Sequence, residues 1–143
     1  MKSPYFVGSF AFANNSSIVE IILPASLSEI KDSAFTGSSI KKINLSACSN
    51  ISRIWQYAFA NCEALDTITF ATFTSTDDMA GKLAINDYAF SGCTALKTLN
   101  LPENLGTLDS YAFKGCTALT TVNFVANAKF ITPETTRLSA SKW

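Results

Sequence analysis

The chain has 143 residues, no histidine, and eleven basic residues against eleven acidic ones. Without imidazole there is no Ser-His or Cys-His nucleophile pair and no histidine metal ligand, and balanced charge argues against a phosphate-backbone partner or an anionic lipid surface. Apolar residues make up 48% of the chain, which suits one packed domain rather than disorder, yet no apolar run approaches the ~20 residues that span a bilayer. No spacing suggests a catalytic lysine or a pair of working carboxylates, so the chain reads as a non-enzyme without a cofactor.

In chain order, Met1–Ala13 carries Lys2, an apolar stretch and Ala11-Phe12-Ala13, which superficially resembles a signal peptide with its cleavage site. It is short for one, against the usual roughly 15–30 residues. Ala11-Phe12 also falls in the frame of a unit that recurs down the chain. That unit reads VGSFAFANNSSIVEIIL (Val7–Leu23), IKDSAFTGSSIKKINL (Ile30–Leu45), IWQYAFANCEALDTITF (Ile54–Phe70), INDYAFSGCTALKTLNL (Ile85–Leu101) and LDSYAFKGCTALTTVNF (Leu108–Phe124). Its anchors Phe12, Phe35, Phe59, Phe90 and Phe113 are spaced by 23, 24, 31 and 23 residues. The long step contains an insertion, and the rest fall within the roughly 20–29-residue period of one class of solenoid.

Each unit ends in an L-x-x-L-x-L pattern, as in Leu96, Leu99 and Leu101. Apolar and polar residues alternate there with period 2, the signature of a strand with one buried face. Five short parallel strands are expected, at Glu20–Leu23, Lys42–Leu45, Thr67–Phe70, Thr98–Leu101 and Thr121–Phe124, forming one sheet in sequence order because so short a strand needs stacked copies to satisfy it. The five phenylalanines, each preceded by a small alanine, are expected to form a column inside the coil as core rather than as a ligand site.

The pattern I-x-x-x-A-F-x-x-C-x-x-L-x-x-[LIV]-x-[LF] resembles the BspA-type leucine-rich repeat over residues 7–124. The first copy departs from it with Asn15 at the cysteine position, and the second lacks the cysteine and is one residue short. The resemblance implies an α/β-type repeat solenoid: a curved right-handed coil, a parallel β-sheet on the concave side, and an irregular or short helical convex side. It also implies a surface or secreted protein whose commonest roles are adhesion and protein binding. The chain is expected to be one domain of about five repeats with a cap or tail at 125–143, to which Phe130, Ile131 and Leu138 could contribute. It could equally be the middle of a longer solenoid.

The outward residues of the five strands form two ladders: Glu20, Lys42, Thr67, Thr98 and Thr121, and Ile22, Asn44, Thr69, Asn100 and Asn123. Two readings stand. One is a self-satisfied polar surface in which Thr and Asn serve strand packing. The other is a concave platform for a protein or glycan partner, which lacks the Trp, Tyr and Arg anchors usual at hot spots. A module of the second kind is the preferred function, and a structural spacer without a dedicated ligand is the alternative.

The connector Ala71–Ala84 holds the insertion. Loops carry function more often than core does, so it is either a plain surface loop or a partner contact. Asp77-Asp78 could touch a hard cation, but calcium takes about six to eight oxygens and no fuller ligand set accompanies them. Trp55 should cover an exposed edge or serve as a binding anchor. Cys62, Cys93 and Cys116 share one repeat position and should be buried free thiols, since three in a column cannot all pair. Cys48, on a connector, should be the most reactive. Several Asn-x-Ser matches, such as Asn50-Ile51-Ser52, are too common by chance to carry weight.

Overall fold

A computed structural model describes residues 5–72 and 83–123. Ten strands follow one another along the chain: β1 Tyr5–Val7, β2 Glu20–Ile22, β3 Leu27–Ile30, β4 Lys42–Leu45, β5 Arg53–Ile54, β6 Thr67–Phe70, β7 Leu83–Ile85, β8 Thr98–Asn100, β9 Leu105–Leu108 and β10 Thr121–Asn123. Every pairing is parallel. Each coil therefore contributes one even-numbered strand, one odd-numbered strand and the turn that carries its phenylalanine.

The even-numbered strands fall within one residue of the expected positions, but not in one sheet. They form a three-stranded sheet, β2-β4-β6, and a separate pair, β8 and β10. The break coincides with the longest connector. Twelve residues separate β6 from β7, whereas four separate β2 from β3 and β8 from β9. The connector after Phe70 is eight residues longer than those two, and β6 and β8 do not pair.

The expected irregular or short helical convex side is corrected as well. Among the described residues there is no helix, and the odd-numbered strands form a continuous five-stranded sheet, β1-β3-β5-β7-β9. These strands are two to four residues long, too short for alternation to register. They exist because each coil lies directly on the next and satisfies its backbone.

The turns explain the Ala-Phe pair. The first four phenylalanine N–H groups donate to the alanine carbonyl of the following coil: Phe12 to Ala34 at 2.7 Å, Phe35 to Ala58 at 2.8 Å, Phe59 to Ala89 at 2.7 Å and Phe90 to Ala112 at 2.8 Å. The small alanine leaves room for this approach, and Ala34, Ala58, Ala89 and Ala112 are fully buried. The rings stack in a column with centroids 5.0 to 5.2 Å apart. Phe35, Phe59, Phe90 and Phe113 are fully buried, whereas Phe12 is half-buried.

Each turn also needs two left-handed residues. One lies two positions before the phenylalanine: Phe10, Ser33, Tyr57, Tyr88 and Tyr111, with φ between 55° and 60°. The other lies two positions after it: Asn14, Gly37, Asn61, Gly92 and Gly115. The second set is the usual Asn/Gly choice for such a backbone. At Gly92 space matters too, because an added Cβ would collide with the Asn61 side chain of the coil before.

Candidate binding face

The two ladders stand as the alternation implies. Glu20 pairs with Lys42 and Lys42 with Thr67, while Ile22 pairs with Asn44 and Asn44 with Thr69. Beyond the break, Thr98 pairs with Thr121 and Asn100 with Asn123. Ile21, Ile43, Ile68, Leu99 and Val122 point the other way and belong to the core or pack on it. All ten ladder residues are exposed except Asn44, which is half-buried. They do not make one unbroken surface. Between Thr67–Thr69 and Asn100 lies a cleft of about 250 Å³, which Phe70, Ala71, Leu101 and Pro102 also line.

Part of this face is satisfied internally. The Asn123 Nδ2 donates to Asn100 Oδ1 at 2.8 Å, Asn44 Oδ1 accepts from the Ser46 N–H at 2.9 Å, and the Thr67 hydroxyl donates to Asp66 at 2.7 Å. Asp77 and Asp78 lie outside the described residues. Among the described residues no group of three or more potential ligands could hold a metal ion.

Trp55 is half-buried and tied down rather than free. Its Nε1–H donates to the Glu29 carboxylate, and Lys31 Nζ and the Arg53 guanidinium lie 5.0 and 4.8 Å from its ring centre. Lys31 also pairs with Glu29 at 2.9 Å and sits 5.4 Å from the Phe6 ring centre. The Lys31 hydrogen bond, followed by that from Trp55, holds the Glu29 carboxyl below its ordinary value. Sequence reasoning passed over Tyr57, Tyr88 and Tyr111, which stack at 5.2 and 5.3 Å along the turns. Their shared place two residues before the phenylalanine was the available signal.

The cysteine column is buried and reduced, with no disulfide. Each thiol donates to the phenylalanine carbonyl of the coil before: Cys62 to Phe35 at 3.0 Å, Cys93 to Phe59 at 3.2 Å and Cys116 to Phe90 at 3.2 Å. Ser38 takes this place in the second coil, 3.5 Å from Cys62 Sγ, and Asn15 in the first accepts from the Ser17 and Ile18 N–H groups. Burial pushes the Cys62 thiol up. The hydrogen bond with Cys116, then burial, pushes Cys93 well up.

Cys48 is a correction. Its connector folds inward, so the thiol is fully buried and lies 3.3 Å from the Pro24 carbonyl oxygen. Burial pushes it up as well. It is not the exposed thiol that its place between repeats implied.

No curated protein matches the chain. Among solved structures it is similar to the T. pallidum leucine-rich repeat protein TpLRR, with a TM-score of 0.70, 29% identity, and coverage of 82% of this chain and 50% of that one. It is similar to the pneumococcal vaccine antigen PcpA, with a TM-score of 0.67, 25% identity, and coverage of 87% and 36%. A leucine-rich repeat protein from Bacteroides ovatus shares the fold with a TM-score of 0.54, 24% identity, and coverage of 85% and 35%. The chain thus spans half or less of the length of these proteins. The family model for the BspA type leucine rich repeat region matches residues 2–80 and 79–137 in six copies. With the stacked phenylalanines and parallel coils described above, this match means that the chain belongs to the BspA-type leucine-rich repeat family.

Proposed function

We propose that this chain is a non-catalytic binding module that takes a protein or glycan partner on its ladder face. The observation that carries the reading is the pair of exposed rows flanking the cleft at the sheet break, where Thr67, Thr69 and Asn100 meet the apolar Phe70 and Leu101. A cleft with an apolar floor and a polar rim suits one protruding anchor of a partner. The flanking rows add contacts at the regular spacing of about 4.8 Å between strands. Solenoids commonly bind on the curved face that such rows line, so the ladders are assigned to the concave side. A surface or secreted location is proposed with this role, and no helix among the described residues is long and apolar enough to cross a membrane.

The test is the triple change Thr69→Arg, Asn100→Arg and Asn123→Arg, which enlarges exposed residues without touching the core. Wild type and variant are applied to a glycan array and a protein array, with melting temperature as the folding control. The expected result is loss of the strongest wild-type signals at unchanged stability. A folded variant that keeps those signals rules the face out. A second reading, a structural spacer, draws on the internal Asn123–Asn100 bond, and a wild type without signal on either array favours it.

A further inference from the structure

One position of each turn is filled against the preference of its backbone. Two residues before the phenylalanine the chain is left-handed in all five coils, with φ between 55° and 60°. That conformation favours glycine and asparagine over a bulky side chain. The second coil meets it with Ser33, so the turn itself does not require a large ring. Coils three, four and five nevertheless carry Tyr57, Tyr88 and Tyr111 there.

The shared backbone aims the three rings the same way. Tyr57 and Tyr88 stack with 5.2 Å between ring centres and 11° between planes, and Tyr88 and Tyr111 with 5.3 Å and 22°. The row stands at the surface, with Tyr57 42% and Tyr111 37% exposed and Tyr88 half-buried between them. Among the described residues the three hydroxyls have no hydrogen-bond partner. Tyr57 and Tyr88 sit in interior coils, whose phenylalanines each stack on a neighbour at both faces. Their exposure therefore belongs to the turn and not to an end of the stack.

We propose that Tyr57 and Tyr88 form a site of oxidative coupling, at which peroxide and a one-electron haem oxidant join the two rings as dityrosine. Each phenol loses one electron and its hydroxyl proton. The two radicals form a carbon–carbon bond between ring positions next to the oxygens. The two ring hydrogens displaced there move to the oxygens and restore both phenols, and the peroxide leaves as two waters. Two radicals held one coil apart meet far more often than two on separate chains at micromolar concentration, because their encounter is already arranged. The pair Tyr57–Tyr88 is favoured over Tyr88–Tyr111. Its planes are more nearly parallel, and Lys114 Nζ lies 5.0 Å from the Tyr111 ring centre, where a positive charge opposes loss of an electron. The bond staples coil three to coil four, across the junction at which β6 and β8 do not pair.

A haem peroxidase with hydrogen peroxide, applied to the whole chain at micromolar concentration, tests the proposal. Trypsin cuts after Arg53, Lys82, Lys97 and Lys114 and so puts the three tyrosines on separate peptides. The expected result is a monomer-sized product with dityrosine fluorescence, a mass lower by two hydrogens, and the Tyr57 and Tyr88 peptides joined. Tyr88→Phe keeps a ring in the stack and should abolish that product. Tyr57→Ser installs the residue that the second coil uses at this place and should abolish the Tyr57–Tyr88 bond as well, with melting temperature as the folding control for both. Tyr5 is 55% exposed and stacks on no described ring, so Tyr5→Phe should leave the monomer-sized product unchanged. A wild-type monomer without dityrosine overturns the proposal, even where linked dimers form. A monomer-sized product that persists undiminished in Tyr57→Ser overturns it too, as does one that joins only the Tyr88 and Tyr111 peptides.

Discussion

The first coil and the fourth are written in nearly the same motif and are energetically different objects. Phe90 lies between Phe59 and Phe113, with centroids at 5.0 and 5.2 Å, and is fully buried. Phe12 stacks on Phe35 alone, at 5.1 Å, and is half-buried. Its N–H still donates to Ala34 in the frame used by Phe35, Phe59 and Phe90. The backbone unit is thus set by the motif, while burial is set by having a coil on each side. In a solenoid the stabilising term belongs to the interface between repeats as much as to the repeat.

The sharpest way to break this comparison is to truncate both rings. Phe90→Ala should cost about 3–5 kcal/mol, the range for a large buried ring that leaves a cavity. Phe12→Ala should cost about 1–2 kcal/mol, because roughly half of its transfer term was never gained. Denaturant melts of the two variants decide, and equal losses would mean that the first coil is as well covered as the interior.

The turns give a smaller contrast. Gly92→Ala should lose about 1–2 kcal/mol from the left-handed backbone alone, with the collision against Asn61 added. Gly8→Ala in the first coil should be close to neutral, since no atom lies within 4 Å of the new methyl. Thermal melts of the pair measure it.

The cysteine position sharpens the comparison chemically. Cys93 is fully buried and donates to Phe59, whereas Asn15 at the same place in the first coil is half-buried and caps its own turn. Cys48, Cys62 and Cys93 should resist an aromatic disulfide reagent in the native state at mildly alkaline pH, since burial and raised pKa values keep them as thiols and the thiolate is the nucleophile, whereas Cys116, held below its ordinary value by the hydrogen bond with Cys93, is protected by burial alone. All four should react on unfolding. Fast native labelling of Cys48 would restore the exposed-connector reading.

The smallest expected effect lies where the first coil joins the interior, at Phe6, Lys31, Glu29 and Trp55. The Glu29 carboxyl is held below its ordinary 4.5 by Lys31 and then Trp55. A depressed carboxylate contributes stability that is complete above the unfolded value and lost as pH falls through the folded one. Glu29→Gln should therefore flatten the stability profile below about pH 4.5, with only a few tenths of a kcal/mol lost at neutral pH because the pair keeps some exposure to solvent, which screens it. An unchanged acid limb, read by urea melts from neutral to acid pH, would mean that the clamp does not couple to folding.

The repeat period, the phenylalanine column, the buried thiols of the motif and the register of the two ladders were legible in the sequence. Each is a property of one unit copied at a fixed spacing, and stacking copies in parallel carries side chains at one position into one row. Thr98 lies opposite Thr121, and Asn100 opposite Asn123, for that reason alone. The second sheet was not legible, because Arg53–Ile54 is a strand only through its partners in the coils on either side. The tyrosine stack needed the left-handed turn to aim its rings, and no local preference puts Tyr57 there. The break between Thr69 and Asn100, the inward fold of Cys48 and the open first ring are likewise matters of what lies beside a segment. Local pattern determined what each coil is, and the stacking of coils decided which of its surfaces are covered.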